Sequence, residues 1–192
     1  MAEGAGAVVG DDGRRRCPWG ADPAIYRAYH DEEWGYPVHG RDGLYERLCL
    51  EAFQAGLSWI TVLRKRDAFR AAFAGFDPAR VAVFDATDVD RLMGDAGIVR
   101  NRAKIVACIN NAKIVLGLDD LDAVLWSFAP DPAPPRPRTT AEIPAVTAES
   151  AAMANALKKL GMRFVGPTTA YALMQATGMV DDHLSDCWRA VG

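Results

Sequence analysis

The stretch 156–183, ALKKLGMRFVGPTTAYALMQATGMVDDH, decides how this chain folds. Residues 149–160 read as a helix running into Gly161, which suits a helix C-cap because glycine reaches left-handed dihedrals without a steric penalty. Met162, Arg163, Phe164 and Val165 follow. Gly166 then suits a tight turn with close backbone approach, and Pro167 the first turn of a second helix, where a missing N–H costs nothing. The pattern predicts helix, hairpin, helix. The N–H groups at the second helix's start, around Gly166 and Thr168, form an anion site suited to one nucleic-acid phosphate, with Lys158, Lys159 and Arg163 adding charge. Such contacts would position the chain without reading sequence. A plain interhelical turn with a solvated basic face fits the same residues.

Outward from the hairpin the chain reads as all-α. Leu44, Leu48, Ala52 and Ala55 recur at helical spacing, as do Ile105, Ile109, Ala112 and Leu116. Caps are predicted at Asp22-Pro23, Ser58, Asp77-Pro78, Thr87 and Thr147, and no strand alternation is visible. Six prolines between Pro130 and Pro144 forbid a helix, so 129–145 is expected to be a surface loop. Residues 1–16, glycine-rich and ending in Arg14-Arg15-Arg16, read as a flexible tail, and 17–192 as a single domain. A formal net charge of −3 means that any nucleic-acid binding must come from a local basic patch. Arg100, Asn101, Arg102 and Lys104 form a second basic cluster and Arg64, Lys65 and Arg66 a third. Four scattered cysteines, with no apolar leader and no run of roughly 20 apolar residues, point to the reducing cytoplasm rather than to a secreted or membrane protein, and a monomer is expected.

Two constellations carry chemistry. Cys17 and His30 near the start and His183 and Cys187 near the end make up the two cysteines and two histidines that tetrahedral zinc accepts. His183 and Cys187, four apart, share one face of a helical turn. On spacing alone, the cysteines read more readily as buried fillers and the histidines as surface residues. If the four converge, the zinc is structural, because four protein ligands leave no open position. Glu51 projects from the apolar side of its helix, an uncommon place for a carboxylate that is neither paired nor working. Trp19, Tyr26, Tyr29, Gln54 and Trp59 lie around it in the sequence. Rings, one acid and one amide would suit a pocket for a flat, cationic base. The alternative is an aromatic core in which Glu51 pairs with Arg27 or Arg47.

The strings Tyr29-His30-Asp31-Glu32-Glu33-Trp34-Gly35, CLEAFQAGLSWITVLRKR (49–66), DAGIVRNRAKI (95–105), LWSF (125–128) and the opening stretch resemble, in order, the 3-methyladenine DNA glycosylase I family of bacteria. The resemblance runs from about Cys17 to Cys187. It implies a helix-hairpin-helix glycosylase fold and a structural zinc on Cys17, His30, His183 and Cys187, joining the two ends of the domain. It also places Glu51, Tyr29, Trp59 and Trp19 in a base pocket. The implied activity is base-excision repair: a methylated adenine is flipped out of duplex DNA and its N-glycosidic bond hydrolysed, with Glu51 as the catalytic group, leaving an abasic site. No lysine falls in the implied pocket, so a monofunctional hydrolase is expected. Leu57, in the turn Gly56-Leu57-Ser58, is the expected wedge, with Arg163, Val165, Gly166 and Thr168 as further DNA contacts. The family is described as lacking the aspartate that related glycosylases use. Asp181 and Asp182 are therefore open to three readings: catalytic acid, partner of a zinc-bound imidazole, or helix N-cap. One competing reading is a non-catalytic, zinc-stapled module that binds DNA damage. Another is a metal-dependent hydrolase that uses His39.

Overall fold

The computed structural model describes residues 4–190. The helix Arg41–Gln54 (α2) forms its axis, because Leu44, Tyr45, Leu48, Cys49, Leu50, Ala52 and Phe53 are all buried and Glu51 with them. A helix with this many buried side chains must be surrounded. Here the surround is Trp59–Arg64 (α3), Arg102–Leu116 (α7), Leu121–Trp126 (α8) and Pro167–Ala176 (α10). The Tyr45 hydroxyl donates to the Cys108 carbonyl at 2.9 Å and ties α2 to α7. Ala24–Glu32 (α1), Arg66–Ala72 (α4), Pro78–Val81 (α5), Ala86–Gly94 (α6) and Ala148–Lys159 (α9) complete the helices. No helix among the described residues is long and apolar enough to cross a membrane.

α9 and α10 pack against each other around the hairpin. Gly161, at φ 91°, ends α9 in a Schellman motif: its N–H donates to Lys158 O at 2.9 Å, and Met162 N–H to Leu157 O at 3.0 Å. The sequence reading put a special backbone at Gly166, but Gly166 has φ −71° and acts as the N-cap of α10, and the second left-handed residue is Phe164 at φ 58°. A Cβ at Gly166 would meet no protein atom within 4 Å, so the space above it faces outward.

Other expectations need correcting. Of the expected tail, residues 4–16 are described, and they are held against the rest of the fold. Val8–Val9 (β1) pairs antiparallel with Arg15–Arg16 (β2), and Arg16 is buried between Asp12 and Asp31. The segment also crosses to the proline loop, where Thr140 N–H donates to Ala5 O at 3.0 Å. α6 is capped by Asp85, not Thr87, through a capping box with Asp88. Ser58 stands at the N-cap of α3, but its hydroxyl faces Thr61 Oγ1 at 3.0 Å instead of the main chain. The two helices predicted from periodicity end in solvent, with Ala55 and Leu116 exposed. The proline segment holds a single 3-10 turn, Thr140–Glu142.

Candidate active site

A cavity of about 340 Å3 opens between the end of α2, α1, the start of α3 and α10. Its walls are Trp19, Tyr26, Tyr29, Trp34 and Trp59, with Glu51, Gln54 and Gln175 as polar groups and Ile143 and Ala172 as small apolar ones. The rings meet edge to face: Trp19 and Tyr26 lie at 5.7 Å and 85°, and Trp19 and Trp34 at 4.9 Å and 80°. Edge-to-face packing fixes these rings as walls of the cavity. The Tyr26 hydroxyl is fixed by Ile60 N–H at 2.8 Å, which anchors α1 to the first turn of α3.

Glu51 sits on the last full turn of α2, 5% exposed, with no hydrogen-bond partner among the described residues. Its two candidate partners are engaged elsewhere. Arg27 holds Asp11 at 2.7 Å, and Arg47 donates to Glu33 at 3.0 Å, where Arg66 adds a bidentate pair at 2.6 and 2.7 Å. Burial therefore pushes the Glu51 carboxyl up to about 8, against an opposing pull from Arg47. Burial, with Glu51 nearby, also raises the Tyr29 phenol and keeps it protonated. The site thus presents a protonated acid at neutral pH among aromatic faces, able to ionise when a cation arrives.

Behind the rings lies a second cluster. Cys17, His30, His183 and Cys187 are all buried, and their ligand atoms lie within 4.8 Å of one another. Cys187 Sγ is 3.5 Å from His30 Nε2 and 3.9 Å from His183 Nδ1, and Cys17 Sγ is 3.9 Å from His183 Nδ1. Zinc bond lengths of about 2.0–2.3 Å imply tetrahedral edges of roughly 3.3–3.8 Å. The donor set therefore fits a tetrahedral metal with a slight contraction. The outward nitrogens are held as ligating imidazoles usually are: His30 Nδ1 against Asp31 at 2.8 Å and His183 Nε2 against Trp34 O at 3.1 Å. Gly20 makes room for this, since a Cβ there would lie 2.4 Å from the His30 ring. His39 is not part of the cluster; it pairs with Asp122 at 2.9 Å and stacks on Trp126.

The third surface is the hairpin. Asn111, fully buried on α7, grips Arg163 from both sides: its Oδ1 accepts from Arg163 N–H at 2.9 Å and its Nδ2 donates to Arg163 O at 3.0 Å. Arg163 and Thr168 are exposed, whereas Val165 is buried and offers a ligand only its main chain. Leu57 is 42% exposed in its turn. Of the other basic clusters much is already engaged within the protein: Lys65 donates to Ala96 O at 2.7 Å, Arg66 is in the Glu33 bridge, Arg102 pairs with Asp90 at the surface at 2.6 Å, and Lys104 is buried.

The methyladenine glycosylase family model matches residues 19–190, which include every ring of the pocket, Glu51, the hairpin and three of the four cluster residues. The chain belongs to the methyladenine glycosylase family. It is 48% identical over 178 residues to DNA-3-methyladenine glycosylase 1 of Escherichia coli (strain K12), covering 90% of this chain and 95% of that protein. It is 45% identical over 177 residues to the DNA-3-methyladenine glycosylase of Haemophilus influenzae, covering 90% and 96%. Among solved structures, a crystal structure of 3-methyladenine DNA glycosylase I superposes with a TM-score of 0.87 at 45% identity, covering 90% of this chain and 98% of that one. The Staphylococcus aureus enzyme, whose structure addresses 3-methyladenine recognition, gives 0.84 at 35%, covering 90% and 95%.

In this methyladenine glycosylase Asp181 and Asp182 are both committed inside the fold. Asp181 accepts from the His183 N–H at 3.2 Å and from Arg136 at 2.7 Å. Asp182 accepts from the Tyr171 hydroxyl and from Gln175 Nε2, each at 2.7 Å. Neither hydrogen-bonds an imidazole ring. Sequence reasoning missed Trp34, Ile143, Ala172 and Gln175 as pocket walls. Gln175 carried a readable signal, three residues after Ala172 on one helix face. Ile143, in a loop after a run of prolines, carried none.

Asn111 yields a first prediction. Asn111→Ala leaves the Arg163 N–H and C=O without their partner, and a lost buried pair of this kind costs about 1–3 kcal/mol. Urea unfolding should register that loss. Binding of a small ligand in the Glu51 cavity should be unchanged, because Asn111 lies outside its wall.

Proposed function

We propose that this chain is a monofunctional DNA-3-methyladenine glycosylase of base-excision repair. The observation that carries the reading is the buried Glu51, without a hydrogen-bond partner among the described residues, in the wall of an aromatic cavity large enough to admit a flat ring. A base methylated at N3 is a cation. Its charge gains from the faces of Trp19, Tyr29 and Trp59 and from a Glu51 carboxylate, and a positive ring beside Glu51 favours that ionised form. Neutral adenine gains far less. Glu51 accepts from the exocyclic amino group, so the pocket both selects and orients the lesion.

The chemistry then asks little of the protein. When the C1′–N9 bond breaks, its electron pair passes to the ring, which leaves as neutral 3-methyladenine without a general acid. The sugar is left as an oxocarbenium-like cation, to which water adds with loss of a proton, giving an abasic site. Flipping the base costs a few kcal/mol, less for a poorly stacked lesion. The hairpin would hold a phosphate through Gly166, Thr168, Arg163 and the main chain of Val165, while Leu57 fills the space the base vacates. This is the hairpin of a helix-hairpin-helix glycosylase, and the substrate read here is duplex DNA, met by a monomer in the cytoplasm.

Cys17, His30, His183 and Cys187 would hold zinc, which supplies a structural cross-link between the two ends of the domain and, with all four positions filled, no catalytic water. Asp31 and the Trp34 carbonyl orient the imidazoles. Trp19 and Trp34 pack on those same rings at 5.3 and 4.7 Å, so the clip also steadies the pocket wall.

The test is to incubate the protein with methylated duplex DNA and analyse both products. Free 3-methyladenine, strands that break only after alkali, and no adduct with borohydride are the expected outcome. Tight binding of the damaged duplex with no base released would favour the non-catalytic module, and a borohydride-trapped adduct would contradict the monofunctional reading.

A further inference from the structure

Lys104 is buried, 6% exposed, and no carboxylate pairs with it among the described residues. Burying an ammonium is costly unless its donors are satisfied. Its donors go to main-chain carbonyls: Phe53 O at 2.8 Å and Ala55 O at 2.5 Å. Both stand at the C-terminal end of α2, where carbonyls have no helical N–H to meet and where a cation also faces the negative end of the helix dipole. A third carbonyl there, Gln54 O, accepts from Leu57 N–H at 2.6 Å. Lys104 is fixed in turn, since it stands in the first turn of α7 and its N–H donates to the Asn101 cap at 3.2 Å.

The consequence is a tie from α7 to Ala55, one residue before Gly56 (φ 79°) and two before Leu57. A methionine at 104 would fill a similar volume without the desolvation cost, which itself depresses the lysine's proton affinity. What the charged group adds over an apolar one is its hold on the turn. We propose that Lys104 is a positioning residue for the turn 55–58, fixing Leu57 in the raised geometry that keeps a flipped base out of the stack. This rests on the glycosylase reading above. Lys104 touches neither base nor sugar, so it acts through Leu57.

A merely structural lysine and a positioning one differ in measurable ways. Lys104→Met is compared with wild type in binding free 3-methyladenine, followed by tryptophan fluorescence, and in single-turnover excision from duplex DNA. A third comparison uses a duplex whose lesion lies opposite an abasic site, where flipping is cheap. The expected pattern is free-base affinity within about twofold of wild type, duplex excision down about tenfold or more, and a smaller loss opposite the abasic site. In a double-mutant cycle, adding Leu57→Ala to Lys104→Met should cost no more than about a further twofold, because the two changes remove one function. If Lys104→Met does not fold, Lys104→Gln, which keeps a short neutral donor, is read in the same way and should show a milder form of the same pattern. Equal losses in free-base binding and excision, full additivity with Leu57→Ala, or unaltered excision would each overturn the proposal. A wild-type protein that neither binds free base nor excises it would instead refute the glycosylase reading, so the two failures are distinct.

Discussion

Replacing Glu51 with glutamine is expected to make the protein more stable and nearly inactive. In the folded protein the carboxyl keeps its proton up to about pH 8, whereas the ordinary value, reached in the unfolded chain, is 4.5. The folded state thus binds the extra proton between those limits, and wild-type stability falls as pH rises through them. The contribution is fully present below about 4.5 and gone above about 8. Glutamine does not ionise and avoids this loss, so Glu51→Gln should match wild type near pH 4.5 and gain progressively to pH 8. The gain is on the order of a few kcal/mol, or roughly 5–15 °C in melting temperature for a chain of this size. Excision should fall on the order of 10²-fold, because the amide offers a cationic ring no counter-charge. Thermal melts at pH 5 and pH 8 check the first half. A variant less stable than wild type at pH 8 would mean that Glu51 has an ionic partner in solution.

The second large effect concerns the cluster of Cys17, His30, His183 and Cys187. Purified protein should carry one zinc per chain, and Cys187→Ser should lose it. Metal energy is folding energy where the ligands converge only in the native state. Here the cluster joins segments far apart in the chain, so the loss should be about 5 kcal/mol or more, lowering melting by roughly 10–20 °C. Cys108, fully buried in the main core away from the cluster, supplies the control: Cys108→Ala should retain the metal. Metal-free protein that melts where the metal-loaded protein does would remove zinc from the account.

Much of this architecture was legible because local chemistry and global packing agree. Gly161, Pro167 and Thr147 announce the hairpin helices through backbone rules that hold whatever surrounds them, and the structure uses each of them there. The four cluster residues could be grouped by chemistry but not by spacing, since 166 residues separate Cys17 from His183 and only tertiary folding makes them neighbours. Glu51 stood out because a carboxylate among Leu44, Leu48 and Ala52 needs a reason. What stayed hidden depended on distant partners. Arg16 reads as part of a basic tail until Asp12 and Asp31 close around it, and Lys104 reads as a surface cation until the end of α2 comes to meet it. Gly166 shows the converse: glycine admits a left-handed turn without requiring one, and the hairpin bends at Phe164 instead.

The central claim is that the Glu51 cavity reads the methylated adenine that the protein cuts out. Its most direct test is single-turnover release of free bases, at pH 7, from duplex DNA carrying both 3-methyladenine and 7-methylguanine, by wild type and by Glu51→Gln. The account predicts that wild type releases 3-methyladenine and leaves 7-methylguanine in place, and that Glu51→Gln, though folded and more stable, releases neither at an appreciable rate. Release of 3-methyladenine by Glu51→Gln at the wild-type rate would contradict it.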